Sequence, residues 1–327
     1  MTVATLPAAV TFASPSAPDR PVFLLGPQRI KTTLGRVLKD AGIDGDIASV
    51  TAGWQEREDE VEELQAQLRG RGVSLRLHSR GDEVFREDRD LAKVHHERQV
   101  VLQTMQRTYD VRLRHTMAAI AELERRPGPA EILAADREDA MQALRDLDAR
   151  HLERVQAIHE EWAPRLRLGE RPAVQRHRKE LEKTLAGVSA LAISGGHVAV
   201  LLNRLRLFDV LGSLPAGVPV VGWSGGAIVL TERVVFYHDS PPQGPGNAEV
   251  FEIGLGVARN VVALPHATRR LSLDDTERVS RFARRFAPAA SVVLDDGGVL
   301  SIDGDRWTAD AAIRRLEADG TVKGMSR

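Results

Sequence analysis

A serine between two glycines, placed at the end of an apolar run, restricts the backbone more than any other segment of this chain. Residues 218–230 read VPVVGWSGGAIVL. The first part predicts a buried strand, and the small residues after Ser224 can begin a helix. The spacing Gly222, Ser224, Gly226 is typical of a nucleophile elbow, a sharp turn that strains the serine and exposes its Oγ. The glycines let neighbouring backbone approach where a Cβ would clash. An ordinary glycine-rich turn is the alternative interpretation.

The segments on either side alternate between strand and helix patterns. Apolar runs predict strands at 21–26, 46–51, 73–77 and 188–194, with amphipathic helices at 29–41, 56–68 and 198–208. Short strands and a helix at 274–286 follow the elbow. This order predicts an α/β fold with a mostly parallel sheet and helices on both faces. Functional groups are expected at the edge where the carboxyl ends of the strands meet.

A helical stretch interrupts this pattern between residues 82 and 186. Two apolar stripes at three- and four-residue spacing are separated by Pro127-Gly128-Pro129, which predicts a long antiparallel helical hairpin. We therefore expect a disordered leader at 1–20, an α/β core at 21–81 and 187–327, and a helical insertion at 82–186. We interpret the hairpin as a structural arm whose stripes pack on each other. The alternative is an arm that binds a partner or forms a homo-oligomer.

Composition excludes several classes of function. The chain has 327 residues, no cysteine and a formal net charge of -1. It therefore has no disulfide, no thiolate metal site, and no overall field that draws it to nucleic acid or an anionic membrane. No apolar run approaches the roughly 20 residues needed to span a bilayer.

The histidine spacing matches no strong metal motif, so we expect no metal and no cofactor. The leader resembles no signal peptide, and we expect a cytoplasmic location.

The elbow serine needs a base, and the base needs a third group that orients it. His266 is the best base because it follows the apolar run 260–264, at the expected carboxyl edge of a strand. His238 is a second candidate. Asp239 is the favoured orienting acid, and Glu249 and Glu252 are the alternatives.

Two glycine-rich strand ends supply candidate donors for an oxyanion. The backbone N–H of Gly225 follows the serine directly, and the N–H of Gly196 lies in a second loop without a Cβ to obstruct it. Gly195 and His197, beside it, are expected to line the substrate pocket.

These motifs, in this order, resemble the dipeptidase E and cyanophycinase family of serine peptidases, which have a class I glutamine amidotransferase-like fold. The resemblance covers most of residues 20–80 and 187–310. It is carried by Gly195-Gly196, the elbow at 222–227, Gly254-Leu255-Gly256, Pro265-His266 and the closing segment 293–298. The chain departs from the family pattern at Gly225, where alanine is usual, after His266, where an aromatic residue is common, and at the helical insertion.

The resemblance implies that Ser224 is the nucleophile and that Asp239, close to Pro241, is the acid. It also implies a preference for aspartyl peptides, with Arg270 or its neighbour Arg269 binding the substrate carboxylate. The sequence thus predicts a serine peptidase or amidohydrolase that cleaves a small peptide or isopeptide. The alternative is a non-catalytic protein of the same fold that acts as a binding or assembly module through its helical insertion.

Overall fold

The computed structural model describes residues 20–239 and 246–325. Within these ranges the chain forms eleven α-helices, two short 3-10 helices and thirteen strands, which are numbered here in chain order. The leader predicted at 1–20 lies outside the described residues except for Arg20.

Seven strands form the central sheet, and five of them are parallel. They are β1 (Val22–Leu25), β2 (Ile47–Val50), β3 (Gly72–Ser74), β4 (Ala190–Ile193), β5 (Val220–Trp223), β10 (Val299–Asp303) and β11 (Arg306–Ala309). Their order is β11-β10-β1-β5-β4-β2-β3, and only β10 and β11 run antiparallel to their neighbours. This confirms the predicted α/β fold with a mostly parallel sheet.

The remaining strands form two smaller sheets beside the central one. One contains β8 (Val261–Pro265), β9 (Ala290–Leu294), β12 (Arg314–Leu316) and β13 (Val322–Gly324), in the order β13-β12-β9-β8. Its strands β8 and β9 are parallel, so that Pro265 lies beside Leu294 at their shared carboxyl end. The other sheet pairs β6 (Arg233–Phe236) with β7 (Glu249–Ile253).

The α-helices cover these sheets and vary widely in length. They are α1 (Leu34–Asp40), α2 (Glu62–Gln67), α3 (Leu77–Glu87), α4 (Arg89–Arg125), α5 (Ala130–Leu166), α6 (Pro172–Leu185), α7 (Val198–Leu207), α8 (Val210–Ser213), α9 (Gly225–Leu230), α10 (Ala267–Arg270) and α11 (Thr276–Phe286). The 3-10 helices span Ala52–Arg57 and Leu168–Glu170.

Both faces of the central sheet are buried beneath helices. Leu191 and Ile193 of β4 pack in one apolar core with residues of α3, α6 and α7, whereas Ala190 and Ala192 pack in another with α1 and α2. Consecutive residues of a strand point to opposite faces, so a strand buried on both sides is apolar throughout. The unbroken apolar runs of the sequence were therefore a sound indication of parallel strands.

Several predicted boundaries were wrong by a few residues. Helix α1 begins at Leu34 rather than at residue 29, because Gln28 accepts the backbone N–H groups of Thr33 and Leu34 and fixes a loop before the helix. The helix predicted at 56–68 is a 3-10 helix over Ala52–Arg57 followed by the short α2. Helix α3 begins at Leu77, five residues before the predicted insertion.

Helices α4 and α5 form the predicted antiparallel hairpin, with the break at Pro127-Gly128-Pro129 between them. Its stripe residues Met105, Tyr109, Leu113 and Met141 are buried. They pack on each other and on the face made by β6 to β9 and α11. The hairpin therefore lies against the α/β core as a structural arm.

Some apolar residues of α4 outside the predicted stripe are exposed, among them Val100 and Val111. A homo-oligomer through the insertion stays a prediction.

A buried polar cluster joins the hairpin to the core. Arg285 of α11 donates two hydrogen bonds to the Asp148 carboxylate of α5, at 2.7 and 2.8 Å. Arg285 also donates to the hydroxyl of Tyr109 on α4, which in turn donates to Asp148. A buried charge pair tolerates the loss of one partner poorly, because the other charge would be left desolvated. The cluster therefore fixes the hairpin to α11.

Candidate active site

The strand-to-helix turn around Ser224 has the backbone geometry of a nucleophile elbow. Strand β5 ends at Trp223, α9 begins at Gly225, and Ser224 between them has φ 52° and ψ -123°. A serine rarely adopts this conformation, and strain of this kind persists only where the surroundings impose it.

The two outer glycines of the elbow motif are required by close backbone contacts. A Cβ at Gly226 would lie 2.1 Å from the carbonyl oxygen of Ile193, at the end of β4. A Cβ at Gly222 would lie 2.5 Å from the side chain of Leu230 and 2.9 Å from the carbonyl oxygen of Gly226. Both positions therefore need glycine, which explains the G-x-S-x-G spacing in physical terms.

His266 lies directly opposite the elbow. It follows the last residue of β8, adopts a left-handed conformation with φ 61°, and precedes the short helix α10. Its Nε2 is 3.3 Å from Ser224 Oγ. This is the contact that a serine nucleophile needs from its base, at the loose end of hydrogen-bonding range. The structure thus brings together the two residues that the sequence analysis selected as nucleophile and base.

The electrostatic surroundings of His266 favour its neutral form. Burial lowers its pKa below the ordinary value of 6.5, and the nearby cations Arg270 and Arg269 lower it further. The nearby carboxylates of Asp296 and Asp295 raise the pKa of His266, but by less than burial and the two arginines lower it. A neutral imidazole can accept a proton, so the shift keeps His266 ready to act as a base at neutral pH.

This shift predicts the pH dependence of the site. Protonation of His266 removes the base, so the rate of Ser224 modification should fall as pH decreases through the lowered pKa. We expect the acidic limb of the rate profile to lie below pH 6.5, the ordinary value for histidine. The measurement is the rate of inactivation by a fluorophosphonate between about pH 4 and 9.

Salt concentration provides the control for this profile. Arg269 and Arg270 are exposed, and ions screen exposed charges while leaving burial unchanged. High salt should therefore move the limb to somewhat higher pH while keeping it below the ordinary histidine value. A limb at or above 6.5 at low salt would contradict the role of burial.

The second glycine loop lies against the elbow, as predicted. A Cβ at Gly195 would lie 2.9 Å from Ser224 Oγ and 3.1 Å from the backbone nitrogen of Gly225. Gly196 has φ 108°. Within the part of the chain that the structure describes, the N–H groups of Gly196 and Gly225 donate to no protein acceptor. Unused backbone donors beside a serine are what an oxyanion would require.

A third glycine, which the sequence analysis missed, packs against this loop. Gly53 lies in the 3-10 helix after β2, and its carbonyl oxygen accepts the N–H of His197 at 2.7 Å. A Cβ at Gly53 would lie 2.4 Å from the carbonyl oxygen of Gly195, and one at Gly196 would lie 2.2 Å from the carbonyl oxygen of Gly53. Its position just after a parallel strand, at the same sheet edge, was the signal that could have found it.

None of the three predicted acids makes a hydrogen bond to His266 among the described residues. Asp239 accepts from Arg278 at 2.7 Å and from the backbone N–H of Ser272 at 2.7 Å. Glu252 contacts His159 on α5 at 3.1 Å and Arg206 at 3.5 Å. The pKa of Glu249 is raised by burial and by the nearby charge of Asp110. The assignment of Asp239 as the orienting acid therefore has no direct contact to support it.

Two other carboxylates act on His266 and were not predicted as site residues. Asp295 and Asp296 follow β9 directly, next to the end of β8. Asp295 accepts from the backbone N–H of Thr268 at 3.2 Å and from Arg314 at 2.9 Å, and Asp296 pairs with Arg269 at 3.6 Å. The available sequence signal was that the apolar runs of β8 and β9 are each followed directly by polar residues, whereas their pairing is visible only in the structure.

A cavity of about 630 Å³ opens at Ser224 and His266. Its wall includes the indole rings of Trp54 and Trp223 and the charged side chains of Arg29, Glu62 and Glu63. Among the described residues, no part of α3, α4, α5 or α6 lines this cavity. The helical hairpin thus forms no wall of the site and lies elsewhere on the core.

Two of the predicted substrate-binding residues, Arg270 and His197, are not among the described residues that line this cavity. Arg270 borders a different cavity, whose lining includes residues of α9, β6 and β7. His197 uses its Nδ1 to accept the N–H of Val200 at the start of α7. Gly195 does line the cavity. Arg29 also lines it and makes no ion pair within residues 20–239 and 246–325.

In the described ranges, no group of three or more His, Asp or Glu side chains is arranged to hold a metal ion. The same part of the chain contains no helix that is both long and apolar enough to cross a bilayer.

This chain is similar to known proteins in sequence and in structure. Among the similar solved structures is a peptidase from an acI-B1 actinobacterium, at 14% identity over 93% of each chain with a TM-score of 0.41. Another is a protein described as a peptidase E from Listeria monocytogenes EGD-e, at 16% identity over 42% of this chain and 65% of that one, with a TM-score of 0.30. No functionally curated protein matches in sequence. The sequence pattern of Peptidase family S51 matches residues 144–309, half of the chain, including the elbow and His266. The chain therefore belongs to Peptidase family S51 and is a serine peptidase.

Proposed function

We propose that this serine peptidase hydrolyses short peptides, with Ser224 as its nucleophile and His266 as its general base. The distance of 3.3 Å between Ser224 Oγ and His266 Nε2, at a strained elbow, is the observation that carries the proposal. A cavity of about 630 Å³ suits a ligand of a few residues better than a folded protein chain.

The proposed reaction proceeds in two steps. Ser224 Oγ attacks the amide carbonyl carbon while its proton passes to His266 Nε2, and a tetrahedral oxyanion forms. The oxyanion accepts hydrogen bonds from the N–H groups of Gly225 and Gly196. The C–N bond then breaks, His266 gives the proton to the leaving amine, and an acyl-enzyme remains. Water hydrolyses this ester with His266 again as the base, which regenerates Ser224.

The imidazolium that forms in each step is supported by carboxylates near His266. Asp295 and Asp296 stabilise its charge, although burial and two arginines dominate in the resting enzyme. We propose this pair in place of Asp239, whose carboxylate is bound to Arg278. Arg29 is the cation we propose for a substrate carboxylate. Arg57 also lines the cavity but is paired with Glu60, and Arg270 lines a different cavity.

Covalent capture tests this function without knowledge of the substrate. The folded chain should react with a fluorophosphonate, and peptide mass spectrometry should place a single adduct on Ser224. The same chain unfolded in urea before exposure serves as the control and should remain unlabelled, because a serine without its base is a weak nucleophile. A folded chain that takes up no probe, or takes it up at another serine, would refute the proposal.

A further inference from the structure

Tyr237 lies behind His266 and makes a short hydrogen bond to its backbone. It follows β6 directly, and only 4% of its surface is exposed. Its hydroxyl donates to the carbonyl oxygen of Pro265 at 2.5 Å, and its ring packs edge-on against Phe282 of α11. Neither the elbow nor the oxyanion donors account for this contact.

The contact fixes the peptide unit that connects β8 to His266. In a trans peptide the N–H and the C=O point in opposite directions. The N–H of His266 faces β9, where it donates to Leu294 at 3.3 Å, so the carbonyl of Pro265 faces away from β9. Strand β8 lies at the edge of its sheet, and on that side the hydroxyl of Tyr237 is the donor. The peptide unit is thus held from both sides.

This unit sets the direction of the catalytic base. His266 has a left-handed backbone conformation, which is uncommon for a residue with a side chain and needs support from its surroundings. On the C-terminal side of His266, the Asp295 carboxylate accepts the backbone N–H of Thr268. On the N-terminal side, the Tyr237 hydroxyl donates to the carbonyl oxygen of Pro265, in the peptide unit that precedes His266.

We propose that Tyr237 is a positioning residue, which acts through the Pro265 carbonyl to keep the His266 imidazole within reach of Ser224. The proposal rests on the proposed function of Ser224 and His266. Burial raises the pKa of Tyr237 well above its ordinary value of 10. The phenol therefore stays protonated, and able to donate, throughout the working pH range.

The test is the variant Tyr237→Phe, which keeps the ring and removes the donor. At saturating fluorophosphonate, its inactivation rate constant should fall about tenfold or more, because a small displacement of a base slows proton transfer strongly. The probe concentration for half-maximal rate should stay within about twofold, since the cavity is unchanged. The acidic limb of the pH profile should also move to higher pH, because a less confined His266 loses part of the burial that lowers its pKa.

Tyr109→Phe is the matched control, because the chain contains only two tyrosines. Tyr109 is also buried and donates to a buried acceptor, Asp148, but in the cluster that joins the hairpin to α11. This variant should change the melting temperature while leaving the inactivation rate and the pH limb as in the wild type. Phe282→Leu, which loosens the ring of Tyr237 without removing its hydroxyl, should fall between the wild type and Tyr237→Phe.

The outcomes separate this proposal from the proposed function. A wild-type chain that takes up no probe at Ser224 refutes the function itself. A reactive wild type with an equally reactive Tyr237→Phe overturns the positioning role alone. Equal losses in Tyr237→Phe and Tyr109→Phe, or a Tyr237→Phe chain that does not fold, would also overturn it, because either result assigns Tyr237 to general stability.

Discussion

Ser224→Ala should reduce peptide hydrolysis by a factor of at least about 10⁴ and abolish capture by fluorophosphonates. The variant removes only the hydroxyl group of Ser224. No other side-chain oxygen in the elbow can attack the substrate to form the acyl-enzyme. The measurements are the rate of release of an amine from a short peptide and the amount of covalent adduct. Ser49→Ala is the matched control. This serine is buried in β2 of the same sheet, and its hydroxyl has no hydrogen-bond partner among the described residues, so its loss should leave both measurements unchanged.

A second variant at this position tests the strain itself. Because φ at Ser224 is 52°, glycine should fit there better than alanine. We expect Ser224→Gly to unfold at a higher urea concentration than Ser224→Ala, by about 1 kcal/mol in the free energy of unfolding. Both variants should be inactive. Residual capture of probe in Ser224→Ala would refute the nucleophile, and an Ala variant as stable as the Gly variant would refute the strain.

Gly53→Ala should lower the hydrolysis rate by about 10²- to 10³-fold, although Gly53, which lines the cavity, supplies none of the proposed catalytic groups. The added Cβ would lie 2.4 Å from the carbonyl oxygen of Gly195 and 3.2 Å from Gly196 Cα. The glycine loop must move to relieve this clash, and Gly196 carries one of the two proposed oxyanion donors. Loss of one such donor costs an enzyme about this much in rate. The measurement is kcat for a short peptide, together with the rate of capture by a fluorophosphonate.

Gly169→Ala provides the control for an added methyl group at a glycine. Nothing lies within 4 Å of a Cβ built there, and Gly169 is in the short 3-10 helix between α5 and α6. This variant should retain the wild-type rate. If Gly53→Ala is folded and fully active, the contact between the 3-10 helix after β2 and the glycine loop does not hold the oxyanion donors.

The elbow, and the place of His266 directly after a strand, were predictable from sequence because each signal is local. The apolar run before Ser224 specifies a buried strand, and Gly222 and Gly226 meet steric demands created within a few residues and by the adjacent strand β4. His266 was found by the same logic, since it directly follows an apolar run. We expected the two residues to meet at one edge of a single parallel sheet. That expectation was wrong, because β5 belongs to the central sheet and β8 to the four-stranded sheet beside it, so the packing of the two sheets brings His266 to Ser224.

The groups around the base could not be found in this way. Asp239 was favoured for its position in the chain, yet its carboxylate is bound to Arg278, 39 residues later. Asp295 and Asp296 approach His266 because β8 and β9 pair in parallel register, with Pro265 beside Leu294. Arg29 and Gly53 lie at the site because β1 and β2 belong to the same sheet as β5 and β4. Each of these contacts depends on strand order, which the sequence pattern leaves open.

By itself, then, the sequence determined the α/β class, the helical hairpin, and the strand ends after which Ser224 and His266 lie. Periodicity, apolar runs and glycine sterics act over short stretches of chain, and those forces can be read directly from neighbouring residues. Only the tertiary structure decided where the hairpin packs, which carboxylates act on His266, and that Tyr237 holds the peptide before it. Those features arise from contacts between residues far apart in the chain, such as Tyr109 with Arg285 and Tyr237 with Pro265, and the burial that strengthens them exists only once the chain has folded.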